Sequence, residues 1–170
     1  MYIGKFHKYA VAGICLTGMQ NDHVAHIAKV ASDALIKKGF KVMIFNAFTD
    51  MYYDTPYSKG EASVYHLINL DIIDVLVIMP ETIKSEWITD TVIRYARAAK
   101  IPVIMLDGSH NGCTNITYDY GRSLESVVEH VITEHKCTDL FFMAGTKGNS
   151  FSEERIKAFK RVLARHNIEF

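Results

Sequence analysis

Polar side chains in this sequence follow three apolar runs, where they could contact a small polar ligand. The runs span residues 9–16 (YAVAGICL), 41–48 (KVMIFNAF) and 102–106 (PVIML). Because the carboxyl ends of parallel strands open onto one crevice, side chains at these ends are the first candidates for ligand contacts. The candidates are Thr17, Asn21 and His23 for the first run, Asn46 and Tyr52 for the second, and Asp107 for the third.

The chemistry of these candidates suits a sugar-like ligand, and each has a structural alternative. Amides, hydroxyls and carboxylates exchange hydrogen bonds with hydroxyl groups, and a tyrosine ring offers a flat apolar surface. However, Asn21 or Asp22 would also cap the following helix, and Tyr52 with Tyr53 could simply pack over a long loop. The residues alone leave both readings open.

The sequence does not predict catalysis or a metal site. The pairs His23 with His26 and Glu129 with His130 lack a third ligand or a base with an orienting partner. The segment 145–150 (GTKGNS) does not meet the phosphate-loop pattern G-x-x-x-x-G-K-[ST], and G-x-G-x-x-G is absent from the sequence. We therefore predict no catalytic residue, no metal and no cofactor.

The elements that must position the candidates alternate along the chain. Apolar runs predict strands at 9–16, 41–48, 74–80, 102–106, 116–119 and 140–145, and amphipathic stripes predict helices at 24–38, 61–69, 85–99, 123–132 and 152–163. This alternation is typical of a three-layer α/β/α fold with a parallel sheet. The polar turn at 107–119 is the candidate boundary between two lobes, 1–120 and 121–170.

Composition bounds the class of protein. The chain has 170 residues, 49% of them hydrophobic, and its 19 basic residues balance 19 acidic ones. A balanced charge argues against a surface for direct nucleic-acid contact, and no apolar run is long enough to cross a membrane. Three cysteines without a C-x-x-C pair do not indicate a disulfide framework, so we expect a soluble cytoplasmic protein.

Six segments, in order, resemble the ligand-binding domain of the LacI/GalR family, a periplasmic-binding-protein-like type I fold. They are VAGICLT, KKGFKVMIFN, DIIDVLVIMP, IPVIMLD, ITYDYGRSLESVVEHVI, and LFFMAG followed by SFSEERIKAF. The segment YSKGEASVYHLINLDIIDVLVIMPETI also looks like a variant of this domain found in front of GGDEF diguanylate cyclase domains. Tyr120, after Asp119, departs from the family's usual Asn, and Lys136-Cys137 departs from its usual Gly-His.

The resemblance implies a function and further site residues. It implies a Rossmann- or flavodoxin-like first lobe with a partial second lobe, in a chain that looks truncated. It places His23 against the ligand, Asp107 at the cleft or hinge, and Asp119 at the crossover, where its carboxylate could instead accept backbone amides. In the SxxR pattern, Arg155 would bind the ligand from the second lobe, or it would be an ordinary arginine in the first turn of a helix.

The resulting expectation is a domain that senses a small polar metabolite and signals by lobe closure to an output domain outside this chain. That output would be a diguanylate cyclase or a transcriptional regulator, although the family's N-terminal helix-turn-helix is missing here, which puts DNA repression in doubt. The resemblance also implies a homodimer formed through the first lobe. The alternatives are a flavodoxin-like or sugar-modifying enzyme, and a dimerisation module.

Overall fold

The computed structural model describes residues 9–49, 55–145 and 149–170. Its contacts divide the chain into two compact units, and the boundary along the chain falls between Thr117 and Tyr118. The first unit contains strands β1 (Val11–Thr17), β2 (Lys41–Ala47), β3 (Val75–Ile78), β4 (Val103–Leu106) and β5 (Thr114–Ile116). Its helices are α1 (Asp22–Lys37), α2 (Pro56–Ala62) with a 3-10 turn at Ser63–Leu67, α3 (Pro80–Ile83) and α4 (Glu86–Ala98). The second unit contains α5 (Tyr120–Thr133) and α6 (Ser150–Arg165).

The five strands form one parallel sheet in the order β2-β1-β3-β4-β5, which confirms the predicted fold class. All seven residues of β1 are buried, as a continuous apolar run covered on both faces requires. At the edges of the sheet, all three residues of β5 and three of the seven residues of β2 are exposed.

Helix α1 covers one face of the sheet. Its apolar stripe packs on Ile14 and Leu16 of β1, on Val77 of β3 and on Met79, which follows β3; the stripe consists of Val24, Ile27, Ala28, Ala31 and Leu35. The helix stops where the sequence indicated, since Gly39 follows it with a φ of 86° that suits glycine.

The opposite face is covered by α4 and by the 3-10 turn after α2. Residues Ile88, Val92, Ile93 and Ala96 of α4 pack with Tyr65 on the strand residues Cys15, Phe45, Leu76 and Ile78. Ser85, the first residue of the predicted helix 85–99, caps α4 by accepting a hydrogen bond from the Ile88 amide.

The second unit is a helix pair with its own apolar cluster. Val128 and Ile132 of α5 pack on Phe159, Val162 and Leu163 of α6. On the outside, Glu125 of α5 accepts from Arg161 and Arg165 of α6, and the Arg161 hydrogen bond is the main reason that the pKa of Glu125 lies below its usual range.

The predicted strand at 140–145 is wrong. These residues are irregular, with Phe141 and Met143 fully exposed, while Leu140 and Phe142 pack on the α5–α6 cluster. The alternation of exposed and packed side chains is real, but among the described residues no strand pairs with this segment, and a strand exists only through its ladder.

Three boundaries also move. The second helix starts at Pro56 instead of residue 61, because Thr55 and Ser58 form a reciprocal capping box with proline in the first turn. The last strand of the sheet is Thr114–Ile116 instead of 116–119, and α5 starts at Tyr120 because Asp119 caps it.

Candidate functional site

A cavity of about 400 Å³ lies at the carboxyl ends of β1, β3 and β4. The chain leaves β1 for β2 on one side and later returns to β3 on the other, so β1 and β3 flank the point where the strand order reverses. Ligands of open parallel sheets bind outside this switch point. We call this cavity the cleft; its lining includes Thr17, Gly18, Gln20, Asn21, His23, Phe48, Met79, Glu81, Thr82, Lys84, Leu106 and Asp107.

The loop from β1 to α1 is held in place by the end of β2. Gly18, at a φ of 84°, donates its amide to the Ala47 carbonyl at 2.7 Å, and the Met19 amide donates to Asn46 Oδ1 at 3.1 Å. The Gln20 side-chain amide donates to the Phe48 carbonyl at 2.7 Å. The predicted residue Asn46 therefore orients the loop that lines the cleft.

Asn21 and His23 lie in the cleft lining at the start of α1. Asn21 is the helix cap, and its Oδ1 accepts the amide hydrogens of His23 at 2.9 Å and Val24 at 3.4 Å. The structure thus confirms the capping alternative for Asn21. His23 is the second residue of α1, and its side chain is exposed.

Thr17 lines the cleft, but its hydroxyl is engaged with the interior. The Tyr65 hydroxyl donates to the Leu16 carbonyl at 2.7 Å, so in its 2.8 Å contact with Thr17 Oγ1 the tyrosine oxygen is the acceptor. Burial raises the pKa of Tyr65 well above its ordinary value of 10.0. Thr17 is therefore a buried residue at the floor of the cleft whose hydroxyl hydrogen is directed to Tyr65.

Helix α3 forms the wall opposite α1, and its polar residues were missed by the sequence reasoning. Thr82 Oγ1 accepts the Thr17 amide at 3.0 Å and donates to the Met79 carbonyl at 2.8 Å, which fixes α3 against the end of β1. Glu81 and Lys84 also line the cleft. The signal was present, because residues 80–84 follow a predicted strand and meet the same criterion as the other candidates.

Asp107 closes the cleft at the end of β4. It has a φ of 60°, and its amide donates to the Ile116 carbonyl at 2.8 Å. Next to it, Gly108 lies so close to α3 that a Cβ there would come within 2.3 Å of Pro80 Cγ. The absence of a side chain at residue 108 is what lets the β4 turn approach α3.

An exposed phenyl ring, that of Phe48, adds an apolar surface to the cleft. The Phe48 and Thr49 amides both donate to Glu61 Oε2, and these backbone hydrogen bonds lower the pKa of Glu61. Tyr52, the aromatic candidate predicted from the sequence, lies outside the described residues, as does Tyr53.

Asp119 and Arg155 belong to the second unit. Asp119 Oδ1 accepts the Arg122 amide at 2.8 Å and caps α5, which is the amide-accepting role the sequence left open. The exposed guanidinium of Arg155 lies 5.0 Å from the Tyr120 ring centre, a cation–π contact. It stands in the second turn of α6, because the helix starts two residues earlier than predicted.

The cleft can exchange hydrogen bonds of both kinds. Its lining holds carboxylates (Glu81, Asp107), an ammonium group (Lys84), an imidazole (His23) and an amide (Asn21) beside the Phe48 ring. The lining therefore combines charged groups of both signs with an apolar ring. Over 9–49, 55–145 and 149–170, no group of three or more His, Cys, Asp or Glu is placed to hold a metal ion, and no helix is long and apolar enough to cross a membrane.

Solved structures with this arrangement share one fold. A sugar-binding transcriptional regulator of the LacI family from Escherichia coli, complexed with phosphate, is 18% identical over 94% of this chain and 55% of its own, with a TM-score of 0.60. The regulator CCPA from Weissella paramesenteroides, with bound glucose, is 17% identical over 94% and 55%, with a TM-score of 0.69. A periplasmic ribose ABC transporter protein from Conexibacter woesei is 17% identical over 99% and 54%, with a TM-score of 0.70.

The chain has the periplasmic-binding-protein-like type I fold. It spans about half the length of the solved structures it matches. No protein-family model matches the sequence, and no curated protein is similar to it at a significant level. The likeness therefore establishes the fold of this type I domain, and the ligand has to be argued from the cleft.

Proposed function

We propose that this chain is a sensing domain for a small sugar-like metabolite, bound in the cleft. The observation that carries the proposal is a cavity of about 400 Å³ at the switch point of the sheet, lined by Asn21, His23, Asp107 and the Phe48 ring. An apolar ring beside groups that both donate and accept matches a sugar, which has apolar C–H faces and a hydroxyl periphery. Two proteins of similar fold support this ligand class. CCPA from Weissella paramesenteroides has bound glucose, and the protein from Conexibacter woesei is a periplasmic ribose ABC transporter.

The signal in this proposal is a population shift. A ligand that also contacts a second lobe favours a closed state, and it does so only by its differential affinity for closed over open. Moving from almost all open to almost all closed takes about 5.5 kcal/mol of that preference. Arg155 is our proposed contact from the second lobe, and Asp119 our proposed support of the crossover. A diguanylate cyclase or transcriptional output domain would read the change.

The experiment is calorimetric titration of the full chain with D-glucose, D-ribose and sucrose, together with Asp107→Asn and Arg155→Ala. Asparagine tolerates the left-handed backbone of residue 107, so Asp107→Asn changes charge and not shape. Loss of a charged hydrogen bond weakens binding about tenfold or more. Asp71→Asn, on an exposed loop residue outside the cleft, is the matched control and should bind like the wild type.

Two results would count against this function. If none of the sugars binds the wild-type chain at millimolar concentration, the ligand class is wrong. If a sugar binds and Asp107→Asn binds as well as Asp71→Asn, the cleft is not the site.

Self-association through the first lobe is a further part of the proposal. Val30 and Ile36 of α1 are 54% and 56% exposed, although the opposite stripe of the helix packs on the sheet. Apolar residues on the outer surface suit a contact with a second copy. Val30→Glu should convert a dimer to a monomer in sedimentation experiments, and a wild-type monomer at high concentration would exclude the contact.

The three free cysteines support a reducing, cytoplasmic setting.

A further inference from the structure

A second cavity, larger than the cleft, lies on the face of the sheet that α4 covers. It has a volume of about 900 Å³ and runs between the α2 segment with its 3-10 turn and α4. We call it the groove. Its apolar walls are formed by Tyr65, Ile68, Leu70, Trp87, Val92 and Tyr95.

The groove exposes large aromatic side chains. Trp87 is 71% exposed and Tyr95 is 56% exposed. Exposed aromatic side chains that line a concave surface mark a binding site more often than isolated ones do. The size of the groove is within the range of small-molecule sites, which extends to about 1,000 Å³.

The charged side chains described in the lining of the groove are lysines. Lys59 and Lys84 line it beside the imidazole of His66, and none of the side chains described in its lining is a carboxylate. The chain as a whole is neutral, with 19 basic and 19 acidic residues, so this local asymmetry is a property of the groove. An apolar cavity with cationic groups selects a ligand with an apolar body and an anionic end.

We propose that the groove binds an amphipathic carboxylate, a small molecule with an aliphatic chain. The chain would lie against Trp87, Tyr95 and Val92, where it removes exposed apolar surface from water. The carboxylate would be paired by Lys59 or Lys84. The groove shares Lys84 with the cleft, but the proposal does not depend on the sugar-sensing function.

The chain carries its own reporter for this test. Trp87 is the single tryptophan of the sequence, and it lies in the groove. Titration of the full chain with decanoate, below its micelle concentration, should shift the Trp87 emission to shorter wavelength in a saturable way with one site per chain. Decanol and decyltrimethylammonium have the same tail with a neutral and a cationic head, and they should bind about tenfold more weakly or worse.

Substitutions then locate the head group. At least one of Lys59→Gln and Lys84→Gln should weaken decanoate binding, and both should leave decanol binding unchanged. Lys157→Gln removes an exposed lysine of α6 and is the matched control. Because Lys59 does not line the cleft, Lys59→Gln should leave any sugar binding intact, which separates a failure of this proposal from a failure of the proposed function.

Several outcomes would overturn the proposal. Equal affinity for the three head groups would show a non-specific apolar surface. Decanoate binding that survives both lysine substitutions would place the carboxylate elsewhere. A self-associated chain whose Trp87 is already shielded and does not respond to decanoate would make a second copy the occupant of the groove.

Discussion

Replacing Tyr65 by Phe tests the connection between the buried face of the sheet and the cleft. Tyr65 is only 5% exposed. Its hydroxyl donates to the Leu16 carbonyl at 2.7 Å and contacts Thr17 Oγ1 at 2.8 Å. Removing it deletes two buried hydrogen bonds without removing carbon atoms. A buried bond contributes about 0.5–1.5 kcal/mol, so the free energy of unfolding should fall by about 1–3 kcal/mol.

The assay is urea unfolding of wild type and Tyr65→Phe, followed by circular dichroism. The midpoint should move at unchanged m-value, since the buried surface stays the same. Tyr57→Phe is the matched control, because Tyr57 is 69% exposed, and its effect should stay within about 0.5 kcal/mol. Thr17→Val added to Tyr65→Phe should cost less than Thr17→Val alone, because the threonine hydroxyl has already lost its partner.

The same tyrosine predicts a pH dependence. Burial raises the folded pKa of Tyr65 above its ordinary value of 10.0, so above pH 10 the unfolded chain has released a proton that the folded chain retains. Stability contributed by this group is therefore complete below pH 10 and is lost as the pH rises towards the folded pKa. Tyr65→Phe should lack this part of the loss. In the urea assay, a midpoint of Tyr65→Phe equal to that of Tyr57→Phe would show that the two buried hydrogen bonds do not stabilise the fold.

Three other predictions concern thiols, packing and capping. Burial raises the pKa of Cys15 from 9.0 to about 12. Ellman's reagent should therefore modify the other two cysteines in the native protein and Cys15 only after unfolding. The contribution of the Cys15 thiol to the free energy of unfolding should be lost from pH 9 upwards. Gly108→Ala places a Cβ against Pro80 and should destabilise by about 1–3 kcal/mol, whereas Gly60→Ala, with open space around it, should not lower the melting temperature. Asp119→Ala should lower the free energy of unfolding by about 1 kcal/mol through loss of the α5 cap, whereas Asp119→Asn should retain the cap. Equal melting temperatures for the two variants would contradict the capping role.

Local signals in the sequence were sufficient for most of the first unit. The continuous apolar run at 9–16 predicts a strand buried on both faces, and Asn21 and Ser85 predict helix caps, because these features depend on residues close in the chain. The parallel sheet then follows from the alternation of strands and helices, and four of the predicted ligand candidates, Thr17, Asn21, His23 and Asp107, lie together around one cavity.

The errors arose where the outcome depends on residues distant in sequence. The run at 140–145 alternates like a strand, yet pairing requires a partner, and Phe142 instead stacks on Phe159 at 4.9 Å. Thr82 follows a predicted strand and could have been named as a cleft residue, but its bond to the Thr17 amide, 65 residues earlier, could not be predicted from the sequence. The groove was not predicted, because the helical stripe placed Tyr95 on the buried face of its helix. In the structure Tyr95 is 56% exposed and lines the groove, so that prediction was wrong.

Lys84 connects the two cavities of the first unit. It ends α3 in a left-handed conformation, at a φ of 55°, and it lines both the cleft and the groove. Tyr65 makes a second connection, since its ring lines the groove while its hydroxyl holds Thr17 of the cleft. An occupant of either cavity that repositions these side chains changes the affinity of the other, and linkage makes that change equal in both directions. Through Lys84 and Tyr65, a change at one cavity of the first unit would be transmitted to the other cavity without any movement of the second unit.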